Sequence, residues 1–473
     1  MAAAATSGSL RAMTVDQYVV AQRDRLLEEL LAYLRIPSVS TDPGHATDVR
    51  AAAEFSAAAL ARLGFDAQIH DTPGHPVVVA HGPALPGAPR VLIYGHYDVQ
   101  PVEPLELWDA DPFEPTLSDT TITARGASDD KGQIYAHVKG VEALLAVHGA
   151  LPVNLTFVIE GEEEIGSPNL SAFVAEHAER LAADVVVISD GAMVAPGIPT
   201  ITYGLRGLTY VTVRVRAAGR DLHSGAYGGG VPNALDALAR LLAGLKDEHG
   251  RVQVPGFYDD VSALSDAERA AMARVPFDEA AFRADAGVSA TPGEAGYSLV
   301  ERIWARPTLD VNGLSGGFQG EGAKTVIAAE AMAKVSCRLV PDQDPQDVFA
   351  KLRAHLQASA TEGVSVEVRA EGLAPAAMTP LDAPSVAAAR AALLQVWGRE
   401  PVFARSGGSI PIVAEFQRLL GAEPLLIGFG QEDDRAHAPN ERFAVHDYLQ
   451  GVRVSAALLQ ALARPRAGAP QGP

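Results

Sequence analysis

Cysteine and positive charge are both scarce in this chain of 473 residues. Its one cysteine, Cys337, excludes an intrachain disulfide and a metal site built from several thiolates, and favours the reducing cytoplasm. The 38 Lys and Arg residues stand against 58 Asp and Glu, which gives a formal net charge of −20 at pH 7. Because a surface of that sign repels phosphates, we expect no nucleic-acid partner.

Long hydrophobic runs are also missing. No apolar run approaches the ~20 residues that cross a membrane, and the first residues, MAAAATSGSLRAM, lack the basic start and apolar core of a secretion signal. We therefore expect no membrane association. Hydrophobic residues nevertheless make up 48% of the chain against 20% charged, which is ample for packed cores. The length exceeds one ordinary core and favours two domains, with a disordered tail in RPRAGAPQGP.

Hydrophobic periodicity divides the chain into two kinds of region. Up to Asp190, short apolar runs alternate with stretches of helical period, which is typical of a mainly parallel sheet flanked by helices. From Leu205 to Ala377, strands such as TYVTVRVRA and VSVEVRAE alternate polar and apolar residues, as antiparallel sheets with one solvated face do. The sequence thus predicts a discontinuous α/β domain, residues 1–204 and 378–473, and a smaller inserted α+β domain, residues 205–377.

Individual elements follow from the same periodicity and from capping residues. Thr14 and Asp16 can cap a first helix that ends before Pro37, and Gly64 ends a second helix that begins near Asp48. The other predicted helices span 134–148, 170–181, 233–245 and 346–356, and the predicted strands include 76–80, 90–94, 154–159, 184–188 and 333–339.

Five potential metal ligands stand out, and four of them follow a hydrophobic run. The carboxyl ends of strands in an α/β sheet are where ligands gather. The fifth lies in the glycine-flanked turn ARGASDDKG. Oxygen and nitrogen donors without sulfur suit zinc, manganese or cobalt at a catalytic site, so the pattern indicates a hydrolase with two metals. The five residues are His96, Asp129, Glu164, Asp190 and His437.

Spacing alone leaves some choices open. It does not separate the three glutamates of GEEE, nor Asp129 from Asp130. Asp98 follows His96 by two residues, so both side chains project to one side, and Asp98 can hold the second ring nitrogen of His96 or orient a catalytic base. GLSGG around Ser315 fits a nucleophile-elbow pattern but lacks the core strand and helix that the motif needs. GEGAKT lacks the glycine before the lysine of a phosphate loop.

Seven ordered motifs resemble those of the dinuclear metallopeptidase family that includes carnosinase, cytosolic nonspecific dipeptidase, aminoacylase and carboxypeptidase G. They are GHYDVQP, ARGASDDKG, EGEEEIGS, DLHSGAYGG, CRLVP, GGSIP and EDDRAHAPNE. The resemblance runs from the helix before IPSVS to near the end of the chain and is strongest to the dipeptidase branch.

That resemblance implies roles for the metal-site residues. Asp129 would bridge two divalent metals, followed by a cis peptide to Asp130, and Glu163 would act as general base with Asp98 as its supporting carboxylate. The remaining four ligands would divide between the metals, His96 with Asp190 and Glu164 with His437.

The resemblance also implies a substrate site and an activity. His223, on an inserted lid and dimerisation domain, would reach across a homodimer to polarise the scissile carbonyl. Arg338 would bind a substrate carboxylate, for which its planar fork of donors is suited, with Ser409, Asn312 and Thr325 assisting. The expected activity is hydrolysis of short peptides with a free C-terminal carboxylate by a metal-bridging water.

Two alternatives remain. An N-acyl-amino-acid amidohydrolase would use the same dinuclear site. A non-catalytic scaffold on the same fold is disfavoured because every expected ligand is present.

Overall fold

The computed structural model describes residues 13–408 and 410–464. The predictions for Ser409 and for the tail after Arg464 lie outside these residues. The described chain forms two compact units. The first contains residues up to Thr202, then Thr379–Phe403 and residues from Glu415 onwards, and the second contains Tyr203–Met378 and Ala404–Ala414.

Helices and strands alternate along most of the chain. The α-helices are α1 Val15–Ala21, α2 Arg23–Leu34, α3 Ala46–Arg62, α4 Lys131–His148, α5 Leu170–Glu176, α6 Ser224–Tyr227, α7 Ala234–Ala243, α8 Asp266–Met272, α9 Glu279–Asp285, α10 Leu299–Ala305, α11 Pro345–Ala358, α12 Pro384–Trp397, α13 Pro411–Leu420 and α14 Val445–Leu462. Short 3₁₀ turns span Pro43–His45, Leu105–Leu107 and Glu163–Ile165.

The strands are β1 Asp66–His70, β2 Val77–His81, β3 Arg90–His96, β4 Thr116–Leu117, β5 Thr121–Thr123, β6 Asn154–Glu160, β7 Val185–Ile188, β8 Ala192–Met193, β9 Thr200–Leu205, β10 Gly207–Arg216, β11 Leu222–His223, β12 Thr308–Gly316, β13 Val326–Ile327, β14 Glu330–Leu339, β15 Ser365–Ala374, β16 Ala377–Met378, β17 Val402–Ser406, β18 Glu423–Leu426, β19 Gly430–Gln431 and β20 Arg442–Ala444. Within residues 13–408 and 410–464, no helix is both long and apolar enough to span a bilayer.

The first unit is built on a mixed sheet with a parallel centre. Its strands run in the order β1-β2-β6-β3-β7-β18-β9, and the four central strands β6, β3, β7 and β18 are parallel. The strands at both sides are antiparallel. All of β3 after Arg90 is buried, as expected of a central strand covered on both faces. One hydrophobic core joins these strands to α2, α3, α4, α12 and α14, so the predicted α/β fold with helices around a mainly parallel sheet is confirmed.

Local signals in the sequence explain most element boundaries. Thr14 caps α1 through a capping box with Gln17, and α3 ends just before Gly64, whose φ of +87° is accessible to glycine. The predicted first helix is wrong in one respect, because it breaks at Gln22 into α1 and α2. The helix predicted for 170–181 ends early, at Glu176, and the partly exposed strand β1 has too little apolar alternation to be predicted.

The second unit contains a four-stranded sheet with the order β12-β14-β10-β15, and all of its pairings are antiparallel. The inward side chains of β10 and β14 pack with α7 and α11 in a separate hydrophobic core. This is the smaller α+β unit that the alternating strands predict. The helices α8, α9 and α10 add a segment for which the sequence pattern gives no prediction.

The domain boundaries differ from the predicted ones at one segment. Residues 404–414 belong to the second unit, whereas the sequence prediction put them in the larger domain. Contacts within the second unit explain this. Arg405 forms an ion pair with Glu268, and Arg206 donates from Nε to the carbonyl oxygen of Gly407 at 3.1 Å. The rest of the second unit spans Tyr203–Met378.

Candidate metal centre

The five predicted metal ligands belong to the first unit and lie at a strand end, in turns or in loops. His96 is the last residue of β3, and Glu164 and Asp190 follow β6 and β7 closely. Since β3, β6 and β7 are parallel neighbours, their carboxyl ends meet at one edge of the sheet. Asp129 ends the turn before α4, and His437 lies in the loop between β19 and β20.

The ligand atoms form two groups that share Asp129. The first is His96, Asp129 and Asp190, and the second is Asp129, Glu164 and His437. The two oxygens of Asp129 serve different groups. Its Oδ1 lies 3.1 Å from His96 Nε2, and its Oδ2 lies 2.8 Å from His437 Nε2. His96 Nε2 is also 3.9 Å from Asp190 Oδ2, and His437 Nε2 is 3.3 Å from Glu164 Oε2. A carboxylate with one oxygen in each group can bridge two metal ions.

His96 provides a test of whether these residues suit a metal. Its Nδ1 faces the backbone oxygen of Asp98 at 3.1 Å, an arrangement that places the ring proton on Nδ1. The opposite nitrogen, Nε2, is buried and makes no hydrogen bond of acceptable geometry, although Asp129 Oδ1 is close. A buried nitrogen with a free lone pair, among carboxylate oxygens, is what a divalent metal requires. The residues therefore fit the group that the sequence predicts.

The electrostatics of the centre also call for cations. Burial, followed by the charges of Asp129 and Glu164, raises the pKa of Asp190 to about 7. Burial and the same kind of repulsion, from Asp190 and Glu164, raise the pKa of Glu163 to about 9. Hydrogen bonds to Asp129 and Glu164 raise the pKa of His437 to about 10. Divalent cations would offset this repulsion and would favour ionised carboxylates with neutral histidines.

Contacts distinguish the three glutamates that spacing could not separate. Glu164 is a member of the second ligand group, whereas Glu163 belongs to neither group. Glu162 is buried in another direction, where its Oε1 accepts from the backbone N–H of His75 at 2.9 Å and its carboxylate also binds Asn169. Glu163 is thus a carboxylate beside the two groups and outside them.

Two further contacts hold this region. The Asp98 carboxylate, fully buried, accepts from the backbone N–H groups of Glu163 and Glu164 at 3.3 and 3.1 Å. Asp98 therefore holds the backbone of Glu163, the residue that the resemblance implies as general base. Asp130 accepts from His96 N through Oδ2 at 3.2 Å, and the peptide between Asp129 and Asp130 is cis, as the resemblance implies.

Sequence reasoning missed two polar residues that contact the centre. Gln100 donates from Nε2 to Glu164 Oε2 at 2.7 Å, and the Glu441 carboxylate accepts from the backbone N–H of Asp129 at 3.0 Å. Both lie inside quoted motifs, GHYDVQP and EDDRAHAPNE, so a polar residue next to a ligand motif was the available signal.

The predicted substrate residues that the structure describes lie in the second unit. The pairing of β11 with β13 brings His223 beside Val326 and next to Thr325, whose carbonyl accepts from Ser224 N at 3.1 Å. Arg338 is half-buried on β14 and pairs with Leu208 and Thr308. Asn312 is different. It is the extra residue in a bulge opposite Val335 and Lys334, several positions along β14 from Arg338.

Ser315 lies within strand β12, opposite Met332. It is not at a turn from a core strand into a helix, which agrees with setting the nucleophile-elbow motif aside.

Comparison with known proteins identifies the family. Peptidase family M20/M25/M40 matches residues 92–461. The chain is 32% identical over 469 residues to the Cys-Gly metallodipeptidase DUG1 of Saccharomyces cerevisiae, covering 94% of this chain and 97% of that protein. It is 32% identical over 471 residues to the human Beta-Ala-His dipeptidase, covering 95% and 92%.

A solved structure extends the likeness to the fold. The M20 family metallo-carboxypeptidase Sso-CP2 from Sulfolobus solfataricus matches with a TM-score of 0.82 and 34% identity, over 93% of this chain and 99% of that one. The sequence and the fold therefore indicate the same family, and the chain belongs to peptidase family M20/M25/M40.

Proposed function

We propose that the protein is a metal-dependent dipeptidase that hydrolyses short peptides with a free C-terminal carboxylate. One observation carries the proposal: two ligand groups share Asp129, with the Glu163 carboxylate beside them and outside both. Two relatives that match most of the chain are named dipeptidases, which supports a dipeptide substrate.

The proposed cofactor is a pair of divalent ions, which are zinc, manganese or cobalt. Such ions lower the pKa of water and polarise a carbonyl. In this proposal Glu163 takes the proton of the attacking water and returns it to the leaving amine. Asp98 fixes the backbone from which Glu163 projects. His96 is held by the backbone oxygen of Asp98, so its orientation is set before any ligand binds.

His223 is proposed to stabilise the oxyanion. Its Nδ1 accepts a hydrogen bond from the backbone N–H of Gly225 at 3.0 Å. In the neutral ring the proton then resides on Nε2, and His223 is exposed. An exposed Nε2–H is a donor for a carbonyl oxygen that gains negative charge.

The homodimer is proposed to form through the second unit. Strand β12 is an edge of its sheet, and apolar side chains are exposed on this strand and directly after it. Val311 is 42% exposed, Leu314 64% and Phe318 43%. An edge strand with exposed apolar side chains is a surface that proteins normally cover, and a second copy of the chain would cover it.

Arg338 is proposed to bind the substrate carboxylate. Arg206 directly precedes β10, whose Leu208 pairs with Arg338, and burial and then the positive charge of Arg338 lower the pKa of Arg206 to about 10. Two guanidinium groups close together favour an anionic group between or beside them, and the fork of Arg338 can bind both oxygens of a carboxylate.

Replacing Arg338 by lysine is expected to reduce kcat/KM by about 5- to 150-fold, or ~1–3 kcal/mol, because lysine keeps the charge and loses the two-pronged geometry. Steady-state kinetics with one dipeptide and its C-terminal amide measure the effect. Amidation should harm the wild type more than Arg338→Ala. Arg214→Lys on β10 is the control, because Arg214 is exposed and lies opposite Met332. Equal losses on amidation in both enzymes would contradict the assignment.

The test of the function itself combines metal removal with a substrate panel. Dialysis against a chelator should abolish hydrolysis of dipeptides, and zinc, manganese or cobalt should restore it. The panel compares an unprotected dipeptide, a tripeptide and an N-acyl amino acid. Preference for the dipeptide supports the proposal, preference for longer peptides indicates a carboxypeptidase, and preference for the acyl compound indicates the amidohydrolase. Activity that survives complete metal removal would rule out all three.

A cytoplasmic location is proposed from the cysteine content. Cys337 is fully buried, and burial raises the pKa of its thiol to about 12, so the thiol is unreactive. A protein without the means to form an internal disulfide suits a reducing compartment. Fractionation of the native host cells would test this location.

A further inference from the structure

Glu441 is a fully buried carboxylate that receives four hydrogen bonds from one short turn. Its Oε2 accepts from Arg125 Nη1 at 2.8 Å and from the backbone N–H of Gly126 at 2.9 Å. Its Oε1 accepts from the backbone N–H groups of Ser128 and Asp129 at 2.9 and 3.0 Å. Each carboxylate oxygen of Glu441 therefore accepts two hydrogen bonds. One of the four donors is the backbone N–H of Asp129, the predicted bridging ligand.

The turn needs this carboxylate because three of its amides, those of Gly126, Ser128 and Asp129, donate to Glu441 and not to a helix or strand. Residues 125–129 lie between β5 and α4, and Gly126 adopts a φ of +83°. These three N–H groups converge on one carboxylate, whereas the other two amides of the turn, those of Arg125 and Ala127, donate to backbone oxygens. Buried N–H groups without acceptors are costly, and an ionised carboxylate is the strongest acceptor available.

Glu441 also ties together the two loops that carry Asp129 and His437. Its backbone oxygen accepts from Ala124 N at 3.0 Å, and the next residues form β20, which pairs with β5. His437 lies four positions before Glu441 on the same loop. A second carboxylate of that loop, Asp434, accepts from the Ser128 hydroxyl at 2.8 Å. Hydrogen bonds between these two loops thus keep Asp129 Oδ2 at 2.8 Å from His437 Nε2.

We infer that Glu441 is a positioning residue that sets the metal affinity of the group formed by Asp129, Glu164 and His437. The inference rests on the proposed dinuclear site. Glu441 holds the loops of two members of this second group, Asp129 and His437, but only the shared Asp129 of the first group. Loss of its carboxylate should therefore weaken the second group more than the first. Residues that orient metal ligands in this way typically change affinity 10- to 100-fold when replaced.

Glu441→Gln is the sharpest substitution. Glutamine keeps the size, but one end of its amide becomes a donor and would face two donors of the turn. Metal content is measured by elemental analysis after equilibrium dialysis over a range of buffered free metal. We expect wild type to bind two ions and Glu441→Gln to bind one of them about 10- to 100-fold more weakly. Hydrolysis should fall at limiting metal and should recover as free metal is raised.

Glu142→Gln is the matched control. Glu142 is a largely buried carboxylate of α4 that accepts from Tyr18 OH at 2.7 Å and Lys139 Nζ at 2.8 Å, and it is not a member of either ligand group. Its replacement should lower the melting temperature without changing either metal affinity. For Glu441→Gln, the rise in melting temperature on adding metal should be smaller than in wild type.

Two results would overturn the inference. One is an unchanged affinity for both ions in Glu441→Gln, and the other is an equal fall in melting temperature with and without metal. If the glutamine variant does not fold, Glu441→Asp retracts the charged group by one methylene and must show the same selective loss. Because the measurement is metal binding, failure of the proposed peptidase activity would be seen separately, in a wild type that binds two ions and hydrolyses no peptide.

Discussion

Replacing Glu163 by alanine is expected to lower kcat by about 10²- to 10⁴-fold while the protein still binds two metal ions. Glu163 lies outside both ligand groups, so its loss removes the proposed proton carrier without removing a ligand. Its backbone N–H is held by Asp98, and that contact survives the substitution. Steady-state kinetics at saturating metal measure the loss, and elemental analysis of the purified variant measures the metal content.

Glu164→Ala provides the contrasting control at the neighbouring position. Glu164 Oε2 lies 3.3 Å from His437 Nε2 and is a member of the second group, so its replacement should release one metal. The two variants should therefore differ in metal content although both lose activity. Loss of metal from Glu163→Ala with retention in Glu164→Ala would mean that the roles of the two glutamates are exchanged.

The strand ends that carry the proposed metal ligands could be predicted from the sequence. Apolar runs before His96, Glu164 and Asp190 identify buried strands, and polar residues directly after buried strands identify the edge where ligands collect. The parallel centre of the sheet follows from the same alternation of strands and helices. These are local patterns, and hydrophobic burial imposes them wherever a strand is covered on both faces.

Choices among adjacent acidic residues could not be made from local pattern. Glu162 turns to Asn169 and to His75, which lies 87 residues earlier in the chain, and Glu164 turns to His437. Glu441 was missed for the same reason, since its four donors lie more than 300 residues earlier. Periodicity reports which face of an element is buried, but it does not report which distant group a polar side chain meets.

The placement of residues 404–414 shows the same limit at the level of domains. These residues belong to the second unit because Arg405 contacts Glu268 and Arg206 contacts Gly407. No change in amino-acid composition marks this segment of the sequence. The break at Gln22 between α1 and α2 is similar, because the apolar face continues through it and only the backbone departs from the helix.

Replacing His223 by alanine is expected to lower kcat by about 100- to 1000-fold, the usual cost of losing one donor to a developing oxyanion. The metal content should stay at the wild-type value because His223 is not in either ligand group. His223→Gln keeps a donor in the side chain and should retain more activity than His223→Ala. Equal kcat values for the two variants would indicate that His223 does not donate a hydrogen bond in the transition state.

Mixing subunits distinguishes action within one chain from action across a dimer. Neither Glu163→Ala nor His223→Ala should hydrolyse substrate efficiently alone. If His223 acts on the partner's centre, a mixed dimer contains one centre with an intact Glu163 and an intact His223, and the other centre lacks both. Random exchange at equal concentrations makes half of the dimers mixed, so about a quarter of the wild-type activity should return. If His223 acts within its own chain, every centre in the mixed dimer lacks one of the two groups. Absence of recovery after exchange has been verified, for instance with subunits carrying different tags, would therefore rule out action across the dimer and leave His223 assigned to its own subunit.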